Sequence, residues 1–336
     1  MKELAQIFIN GQDAGYLIVF IMSILITLVT GPVLIPWLHK LKFGQQILED
    51  GPKWHEKKNG TPTMGGLAFL ASITVTLTVA FIYLLSNGLL TQALSLMTCI
   101  VFSILNSAIG IIDDLSKLRH RHNKGLSPRA KLVLQSIASI VFLAMREFLI
   151  GRQSVIVFSF GEVDLGFLYY PIAFLILVGI TNCANLTDGI DGLASGVTFA
   201  IGVSLFYISC ALSYEVSAIS SAMMGAASAF LIFNIHPAKI FMGDTGSLFL
   251  GAIAASASIA LSNPLLILLI GGIYVIEGAS VILQVLCFKL TGKRIFKMAP
   301  MHHHLEKIGW NENRICIVAM ILTFIFTVPA YVIYLP

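Results

Sequence analysis

The sequence predicts an all-α polytopic integral membrane protein with ten transmembrane helices. Hydrophobic residues make up 57% of the 336-residue chain, charged residues make up only 11%, and the mean hydropathy is +0.88. A soluble domain carries about 25% charged residues, so this chain has too few polar groups to cover the surface of a soluble globule. Intrinsic disorder is also excluded, because it needs low hydrophobicity and high net charge.

Each predicted helix is an apolar run long enough to cross a hydrocarbon core of about 30 Å, which takes about 20 residues. The first run starts near Tyr16 and has no small-residue cleavage pattern, so we expect a span and not a cleavable signal peptide. Turn signals at 86–88 and 262–264 separate neighbouring runs. The predicted spans are 15–38, 65–86, 89–112, 131–150, 168–186, 193–213, 216–234, 246–262, 264–288 and 313–334.

The basic residues predict the orientation of these spans. One set of loops, with the residues beside it, carries 18 of the 21 lysine and arginine residues. These loops are 39–64, 113–130, 187–192, 235–245 and 289–312. Loops rich in basic residues stay in the cytoplasm, so we expect these five on the cytoplasmic face and both termini outside. A short extracytoplasmic β-hairpin is predicted near 154–165.

The net charge and the cysteine pattern exclude further classes of function. A formal net charge of +4 is too small to suggest nucleic-acid binding. The five cysteines are scattered without a CxxC pair, so we expect neither a disulfide framework nor a thiolate metal site. We predict a single transmembrane domain over 1–336, with its active site in the five cytoplasmic loops.

Carboxylates at the cytoplasmic helix ends are the first sign of chemistry. Asp113 and Asp114 end the third span, Asp188 and Asp191 follow the fifth, and Asp244 follows the seventh. A single aspartate at a helix end is as readily an ordinary boundary residue, but adjacent carboxylates repel each other unless a cation or proton is present. Mg²⁺ prefers oxygen ligands and substrate phosphates. The pattern therefore indicates Mg²⁺-dependent phosphate chemistry at the cytoplasmic face.

Basic side chains lie in the same loops. Lys117 follows Asp113 by four residues, so the two share a face if the helix continues, and Lys131 opens the fourth span. Lysines near a membrane can also simply attract lipid headgroups. The three histidines at 302–304 point about 100° apart on a helix and cannot all bind one metal. At least one suits phosphate binding or proton transfer, and a structural role for the others stays open.

Six ordered motifs carry a resemblance to a known family. They are GPKWHEKKNGTPTMGG (51–66), GIIDDLSK (110–117), KGLSPRAK (124–131), NLTDGIDGLA (185–194), FNIHPAKIFMGDTGSL (233–248) and MAPMHHHLEKIGW (298–310). With them the chain resembles the phospho-N-acetylmuramoyl-pentapeptide-transferase family, a branch of the polyprenyl-phosphate N-acetylhexosamine-1-phosphate transferases. The resemblance runs from about Lys40 to the C-terminus. One departure is Asn59, where a basic residue is expected.

The resemblance implies a reaction, a cofactor and partners. Phospho-N-acetylmuramoyl-pentapeptide would pass from UDP-N-acetylmuramoyl-pentapeptide to undecaprenyl phosphate, forming lipid I and UMP with Mg²⁺ as cofactor. This is the first membrane step of peptidoglycan synthesis. It also implies a multi-pass protein of the bacterial plasma membrane that contacts membrane lipids, forms a homodimer and binds no nucleic acid.

The same resemblance assigns roles residue by residue. Asp244 is implied to be the Mg²⁺ ligand, and Asp113 or Asp114 to deprotonate or position the lipid phosphate. Groups that would hold phosphates or developing charge are Lys117, Lys131, Asn234 and His302. The nucleoside side would include Asn185, Asp188, Gly189 and Asp191, with Lys58, Thr63 and Phe241 beside the uridine. His303 and His304 belong to the same histidine motif and are implied to contact substrate.

Alternative functions and mechanisms stay open at this point. One is a transferase for UDP-N-acetylglucosamine, which offering both nucleotide sugars would distinguish. Another is a secondary transporter, which ten spans and the intramembrane Glu277 would suit, although transporter sites usually lie near the midplane. The lipid phosphate could attack the β-phosphate directly, which we favour, or an aspartate could first form a covalent intermediate.

Overall fold

The computed structural model describes residues 12–41, 58, 60–119 and 125–334. Within these residues ten helices have at least 17 residues, and all the predicted spans except the ninth each fall on one of them. The long helices are α1 Gln12–Lys40, α2 Gly66–Ser86, α3 Leu90–Arg119, α4 Pro128–Leu149, α5 Tyr169–Thr187, α6 Leu193–Ser209, α7 Tyr214–Asn234, α8 Gly243–Ala260, α10 Gly272–Thr291 and α12 Glu312–Tyr334. Short helices are α9 Leu266–Ile270 and α11 Met301–Lys307.

Eight of the described helices are long and apolar enough to cross a membrane, namely all the long ones except α6 and α8. The chain is therefore a multi-pass membrane protein, as its hydropathy predicts. Helix α6 has only 17 residues. Helix α8 has 18 residues and is rich in glycine, alanine and serine. From Thr245 to Ile259 every residue of α8 is buried. Helix α8 is therefore enclosed by protein over most of its length.

Glycines allow α8 to approach its neighbours at backbone distance. A Cβ atom on Gly110 of α3 would lie 2.6 Å from the backbone nitrogen of Thr245, and one on Gly66 of α2 would lie 2.8 Å from the carbonyl carbon of the same residue. Small residues of this kind let membrane helices make close contacts. The approach brings the C-terminal end of α3 beside the first turn of α8.

The predicted ninth span, 264–288, is not one continuous helix, and this prediction was wrong. The structure breaks the segment at Gly271, between α9 and α10. Two consecutive glycines weaken a helix because each costs about 1 kcal/mol relative to alanine. A Cβ atom on Gly272 would also lie 2.6 Å from the ring of Phe326 on α12. The glycine pair thus lets α12 pack against the break.

A two-stranded antiparallel hairpin connects α4 to α5. It consists of β1 Val155–Phe158 and β2 Gly161–Asp164, with Phe158 opposite Gly161. The turn into β2 uses a φ of 136° at Gly161, a conformation that favours glycine. The Asn263 side-chain amide donates to the Val157 carbonyl at 2.6 Å, so the hairpin is tied to the segment after α8.

Candidate active site

Three aspartates from two helices meet at one end of the bundle. Asp113 and Asp114 lie on α3, and Asp244 lies in the first turn of α8. One carboxylate oxygen from each lies within 4.8 Å of the others. Asp113 is only 1% exposed and Asp114 only 3%. The structure thus brings Asp244 to a pair of adjacent carboxylates, although Asp244 follows Asp114 by 130 positions in the sequence.

Two lysines lie against these carboxylates. Helix α3 continues past its predicted end at 112 to Arg119, so the Lys117 ammonium lies 2.6 Å from Asp113 Oδ2 and 3.2 Å from Asp244 Oδ2. The Lys131 ammonium lies 2.5 Å from Asp244 Oδ2 and 3.3 Å from Asp113 Oδ1. These three aspartates and two lysines are called the aspartate–lysine cluster below.

The start of α4 places Lys131. The Ser127 hydroxyl accepts a hydrogen bond from the Ala130 backbone N–H at 3.2 Å, and Pro128 occupies the first helical position. A serine cap followed by proline is a strong helix start, because both satisfy the free groups of the first turn. Lys131 is therefore held in the first turn of a well-defined helix, facing α8.

Both oxygens of the Asp114 side chain accept hydrogen bonds from the first turn of α8. Its Oδ1 accepts the backbone N–H of Asp244 at 3.2 Å, and its Oδ2 accepts the N–H and the hydroxyl of Thr245 at 2.9 and 2.7 Å. The first N–H groups of a helix have no partner within the helix, and a negative charge is favoured there. Asp114 therefore fixes the position of Asp244 relative to α3.

Asp113 is enclosed on its other side by the chain before α4. Its Oδ1 accepts the Leu126 backbone N–H at 2.8 Å. A Cβ atom on Gly125 would lie 2.5 Å from the same oxygen, so glycine is required for this approach. Asp113 keeps its Oδ2 toward Lys117 and the interior of the cluster.

The last turn of α5 and the loop after it border the cluster. The Asn185 side-chain amide donates to Asp244 Oδ1 at 2.9 Å and to the Ser247 hydroxyl at 2.8 Å. Burial raises the pKa of Asp188 well above its usual value, and the charges of Asp244 and nearby Asp114 and Asp191 act in the same direction. A proton on Asp188 is therefore held more tightly than on an exposed aspartate.

His302 is buried with one ring nitrogen paired and the other unpaired. Its Nδ1 lies 3.1 Å from Glu277 Oε2, and its backbone N–H donates to Glu277 Oε1 at 3.2 Å. Nε2 has no hydrogen-bond partner among the residues that the structure describes. A Cβ atom on Gly189 would lie 2.6 Å from the ring carbon beside it, so this nitrogen faces the loop after α5. Glu277 was predicted only as an intramembrane acid, and its partnership with His302 was missed.

The other two histidines have local partners. His303 Nδ1 lies 2.7 Å from Glu306 Oε2, one helical turn away. His304 Nδ1 accepts the Lys297 backbone N–H at 3.1 Å. The three consecutive histidines thus have three different hydrogen-bond partners, although the rings of His302 and His303 lie in contact, with centroids 4.2 Å apart. A role in substrate binding for His303 and His304 stays a prediction.

A second charged group joins four distant segments through Lys58, Asp191, His236 and Glu312, and is called the Lys58–Glu312 group below. The Lys58 ammonium lies 2.8 Å from Asp191 Oδ1 and 2.6 Å from Glu312 Oε2. Glu312 Oε2 also accepts the backbone N–H of Asp191 at 2.7 Å, and His236 Nδ1 lies 2.9 Å from Asp191 Oδ2. Sequence reasoning missed His236 and Glu312, because an acid in the first turn of a helix is typical of any helix start.

Asn234 connects two loops near this group. Its Oδ1 accepts the Gly192 backbone N–H at 3.2 Å and the Ser195 hydroxyl at 2.7 Å, and its amide donates to the Ile240 carbonyl at 2.9 Å. The side chain is 2% exposed. These contacts fix the shape of the loop walls, and the phosphate-holding role of Asn234 stays a prediction.

Thr63 and Phe241 border the aspartate–lysine cluster. The Phe241 carbonyl accepts the Gly65 backbone N–H at 2.8 Å, so the two segments run side by side. A Cβ atom on Gly243 would lie 2.8 Å from the Thr63 hydroxyl and 2.7 Å from Asp114 Oδ2. Glycine at 243, with a φ of 67°, is therefore needed where these segments meet.

Known proteins are similar to this sequence over most of its length. The family model described as Glycosyl transferase family 4 matches residues 96–262, and phospho-N-acetylmuramoyl-pentapeptide-transferase signature 1 matches residues 58–70. Three curated relatives carry the name phospho-N-acetylmuramoyl-pentapeptide-transferase. The protein of Clostridium botulinum (strain Alaska E43) is 44% identical over 93% of this chain and 94% of its own. The protein of Clostridium perfringens (strain SM101) is 44% identical over 95% of this chain and 97% of its own. The protein of Halalkalibacterium halodurans is 45% identical over 94% of this chain and 96% of its own.

Proposed function

The chain belongs to the phospho-N-acetylmuramoyl-pentapeptide-transferase family, and we propose that the aspartate–lysine cluster is the place where its reaction occurs. It transfers phospho-N-acetylmuramoyl-pentapeptide from UDP-N-acetylmuramoyl-pentapeptide to undecaprenyl phosphate, forming lipid I and UMP. One observation carries the assignment of the site. Three carboxylates and two ammonium groups meet within contact distance at one end of the bundle, which suits two phosphates and a cation.

We further propose that this end of the bundle faces the cytoplasm, with all ten long helices crossing the membrane and both termini outside. The basic residues support this orientation, since 18 of 21 belong to the loops around the cluster or beside them. The hairpin 155–164 follows α4, which starts at the cluster, and it therefore lies on the opposite, outer side. A homodimer in the bacterial plasma membrane is expected from the family resemblance.

The donor set fits Mg²⁺, because carboxylate oxygens are the ligands this ion prefers. Asp244 would be its direct ligand, with Asp113 beside it, since Asp114 is committed to α8. Bound Mg²⁺ would supply a Lewis acid that neutralises the charge on the diphosphate. Lys131 lies 2.5 Å from Asp244 Oδ2, so its ammonium and the cation compete for this oxygen. With a cation held by Asp244, Lys131 would be free to bind a phosphate.

The chain's residues then support direct transfer. An oxygen of the lipid phosphate forms a bond to the β-phosphorus, and the bond from that phosphorus to the bridging oxygen of UMP breaks. The lipid phosphate is already anionic, so it needs no activation by a covalent step. Both oxygens of Asp114 accept hydrogen bonds, and Oδ1 of Asp113 accepts another. These bonds lower the nucleophilicity of the two carboxylates and disfavour the covalent alternative.

Lysines and a histidine would hold the reacting phosphates. Lys117 and Lys131 approach the cluster from α3 and α4 and would bind the two anionic groups as they meet. His302 Nε2 is unpaired and faces Gly189, which suits a hydrogen bond to the diphosphate of the donor. Asp113 would position the lipid phosphate.

The nucleoside would bind between the cluster and the Lys58–Glu312 group. Lys58 and Asp191 form one side, and Thr63 with Phe241 borders the other. Asn185 in the last turn of α5 leads into the connecting loop, which contains Asp188 and Gly189, and Asn234 shapes this loop. We expect the uracil edge to be read by Lys58 and Asp191, because a paired ammonium and carboxylate match its carbonyl and N–H groups.

Replacing Asp244 with asparagine tests the assignment. We expect Asp244→Asn to lower Mg²⁺-dependent UMP release at least about 100-fold, because the direct ligand loses its charge. Glu162→Gln is the matched control, since Glu162 is an exposed carboxylate of the hairpin. Both variants should elute as monodisperse protein in detergent with the parent's thermal unfolding midpoint. Near-normal turnover by Asp244→Asn would show that the metal assignment is wrong.

A further inference from the structure

The segment 288–297, which follows the apolar part of α10, combines basic and apolar side chains. Its cations are Lys289, Lys293, Arg294 and Lys297, and all four are exposed. The sequence has no acidic residue between Glu277 and Glu306. Among the residues that the structure describes, no carboxylate lies within 4 Å of these four cations. The segment therefore carries a local charge that no carboxylate in the described part of the chain balances.

Large apolar side chains are exposed in the same segment. Leu290 is 83% exposed, Ile295 53% and Phe288 51%. The Arg294 guanidinium lies 5.9 Å from the centre of the Phe288 ring. Cations interleaved with exposed apolar side chains are typical of segments that lie in the interface of a membrane, where the apolar parts enter the lipid and the charges stay at the headgroups.

The segment folds back along α10. The helix ends at Thr291, and Gly292 adopts a φ of 69°, the left-handed conformation that terminates helices. The Ile295 and Phe296 backbone N–H groups then donate to Gln284 Oε1 at 3.1 and 3.0 Å. Gln284 lies two turns before the helix end, or about 10 Å along its axis. We call 288–297 the basic hook, because it returns toward the membrane-crossing part of its own helix.

The hook is also tied to the histidine helix α11. The Lys297 backbone N–H donates to His304 Nδ1 at 3.1 Å, and the Phe296 ring meets the His304 ring with centroids 5.7 Å apart. Contacts at Gln284 on one side and at His304 on the other hold the hook in one shape. Its cations are therefore presented as a fixed group.

We propose that the basic hook docks on the headgroups of anionic phospholipids in the adjoining leaflet. Lys293 and Arg294 contact the phosphates, and Ile295 enters the interface. Charge complementarity favours this occupant, since four cations without a carboxylate partner among the described residues follow a helix long and apolar enough to cross a membrane. Each lysine or arginine near an anionic bilayer surface strengthens binding about fivefold, so Lys293 and Arg294 together contribute about 25-fold.

Hydrogen–deuterium exchange in nanodiscs tests the proposal without depending on the transfer reaction. The full chain is placed in discs of phosphatidylcholine alone and in discs with an added fraction of phosphatidylglycerol. Exchange is followed in peptides covering 288–297, where the Ile295, Phe296 and Lys297 amides report on the hook. We expect phosphatidylglycerol to slow exchange in this segment. The double variant K293Q/R294Q should require about 25-fold more anionic lipid for the same protection, and so show none in the usable range.

Three controls make the result decisive. K239Q/K307Q also removes two exposed lysines from the predicted cytoplasmic loops, and it should retain the parent's response. Ile295→Gln keeps every charge and should weaken protection. Soluble glycerol phosphate added to phosphatidylcholine discs should give no protection. The proposal is overturned if exchange ignores phosphatidylglycerol, if K239Q/K307Q loses protection equally, or if glycerol phosphate substitutes for the lipid.

Discussion

Replacing Gly110 with alanine tests whether the close approach of α3 and α8 sets the geometry of the aspartate–lysine cluster. The added Cβ atom would lie 2.6 Å from the backbone nitrogen of Thr245, whereas ordinary contact begins at 3.4 Å. Its neighbours there are backbone atoms, which cannot rotate away as a side chain would. The two helices must therefore separate by at least about 0.8 Å at this point.

The displacement reaches the reacting groups directly. Gly110 precedes Asp113 by less than one helical turn, and Thr245 follows Asp244 in the chain. Misplacing a reacting group by about 1 Å lowers the rate of a reaction about 100-fold. We therefore expect Gly110→Ala to release UMP about 100-fold more slowly than the parent at saturating concentrations of both substrates.

Gly179→Ala is the matched control. Gly179 also lies within a membrane-crossing helix, α5, but a Cβ atom there meets nothing within 4 Å. Alanine favours a helix by about 1 kcal/mol over glycine, so neither variant should lose helical structure. If Gly110→Ala turned over as fast as Gly179→Ala, with equal thermal unfolding midpoints, the close approach would not be what positions the carboxylates.

Two further predictions concern the nucleoside side. Glu312→Gln should raise KM for the UDP-linked substrate about tenfold and leave kcat unchanged, because it removes the charge that holds Lys58 at 2.6 Å without touching the aspartate–lysine cluster. A fall in kcat at constant KM would contradict this positioning role. The affinity for Mg²⁺, measured by calorimetry, should keep rising with pH above the usual titration range of an aspartate, because the raised pKa of Asp188 makes bound protons compete with the cation. The same slope in Asp188→Asn would refute the assignment.

Hydropathy predicted the helices because a membrane span must satisfy its backbone internally and expose apolar side chains. It did not predict their ends. Helix α3 runs to Arg119, seven residues beyond the predicted end, since Asp113, Asp114 and Lys117 are polar and still helical. Hydropathy also did not reveal the break at Gly271, because the residues on both sides of it are apolar and read as one continuous span.

The site was partly visible in the sequence. Asp113, Asp114 and Lys117 stood out because charge is rare in this chain and clustered at span ends, and the structure brings them to Asp244. Glu312 could not be found this way, since its partner Lys58 lies 254 positions away and nothing near either residue marks the pair. Only the tertiary contact between Lys58 and the start of the last helix reveals it.

The enclosure of α8 has a consequence for how the bilayer acts on the enzyme. A membrane of unsuitable thickness tilts the helices that face its lipids, a response known as hydrophobic mismatch. Helix α8 is buried from Thr245 to Ile259, so it is shielded from this tilting, and Asp244 moves little with it. Much of α4 faces outward, with only 28% of its apolar window buried, and it carries Lys131. A change in bilayer thickness is therefore expected to act on the lysine that contacts Asp244 and to leave the aspartate in place.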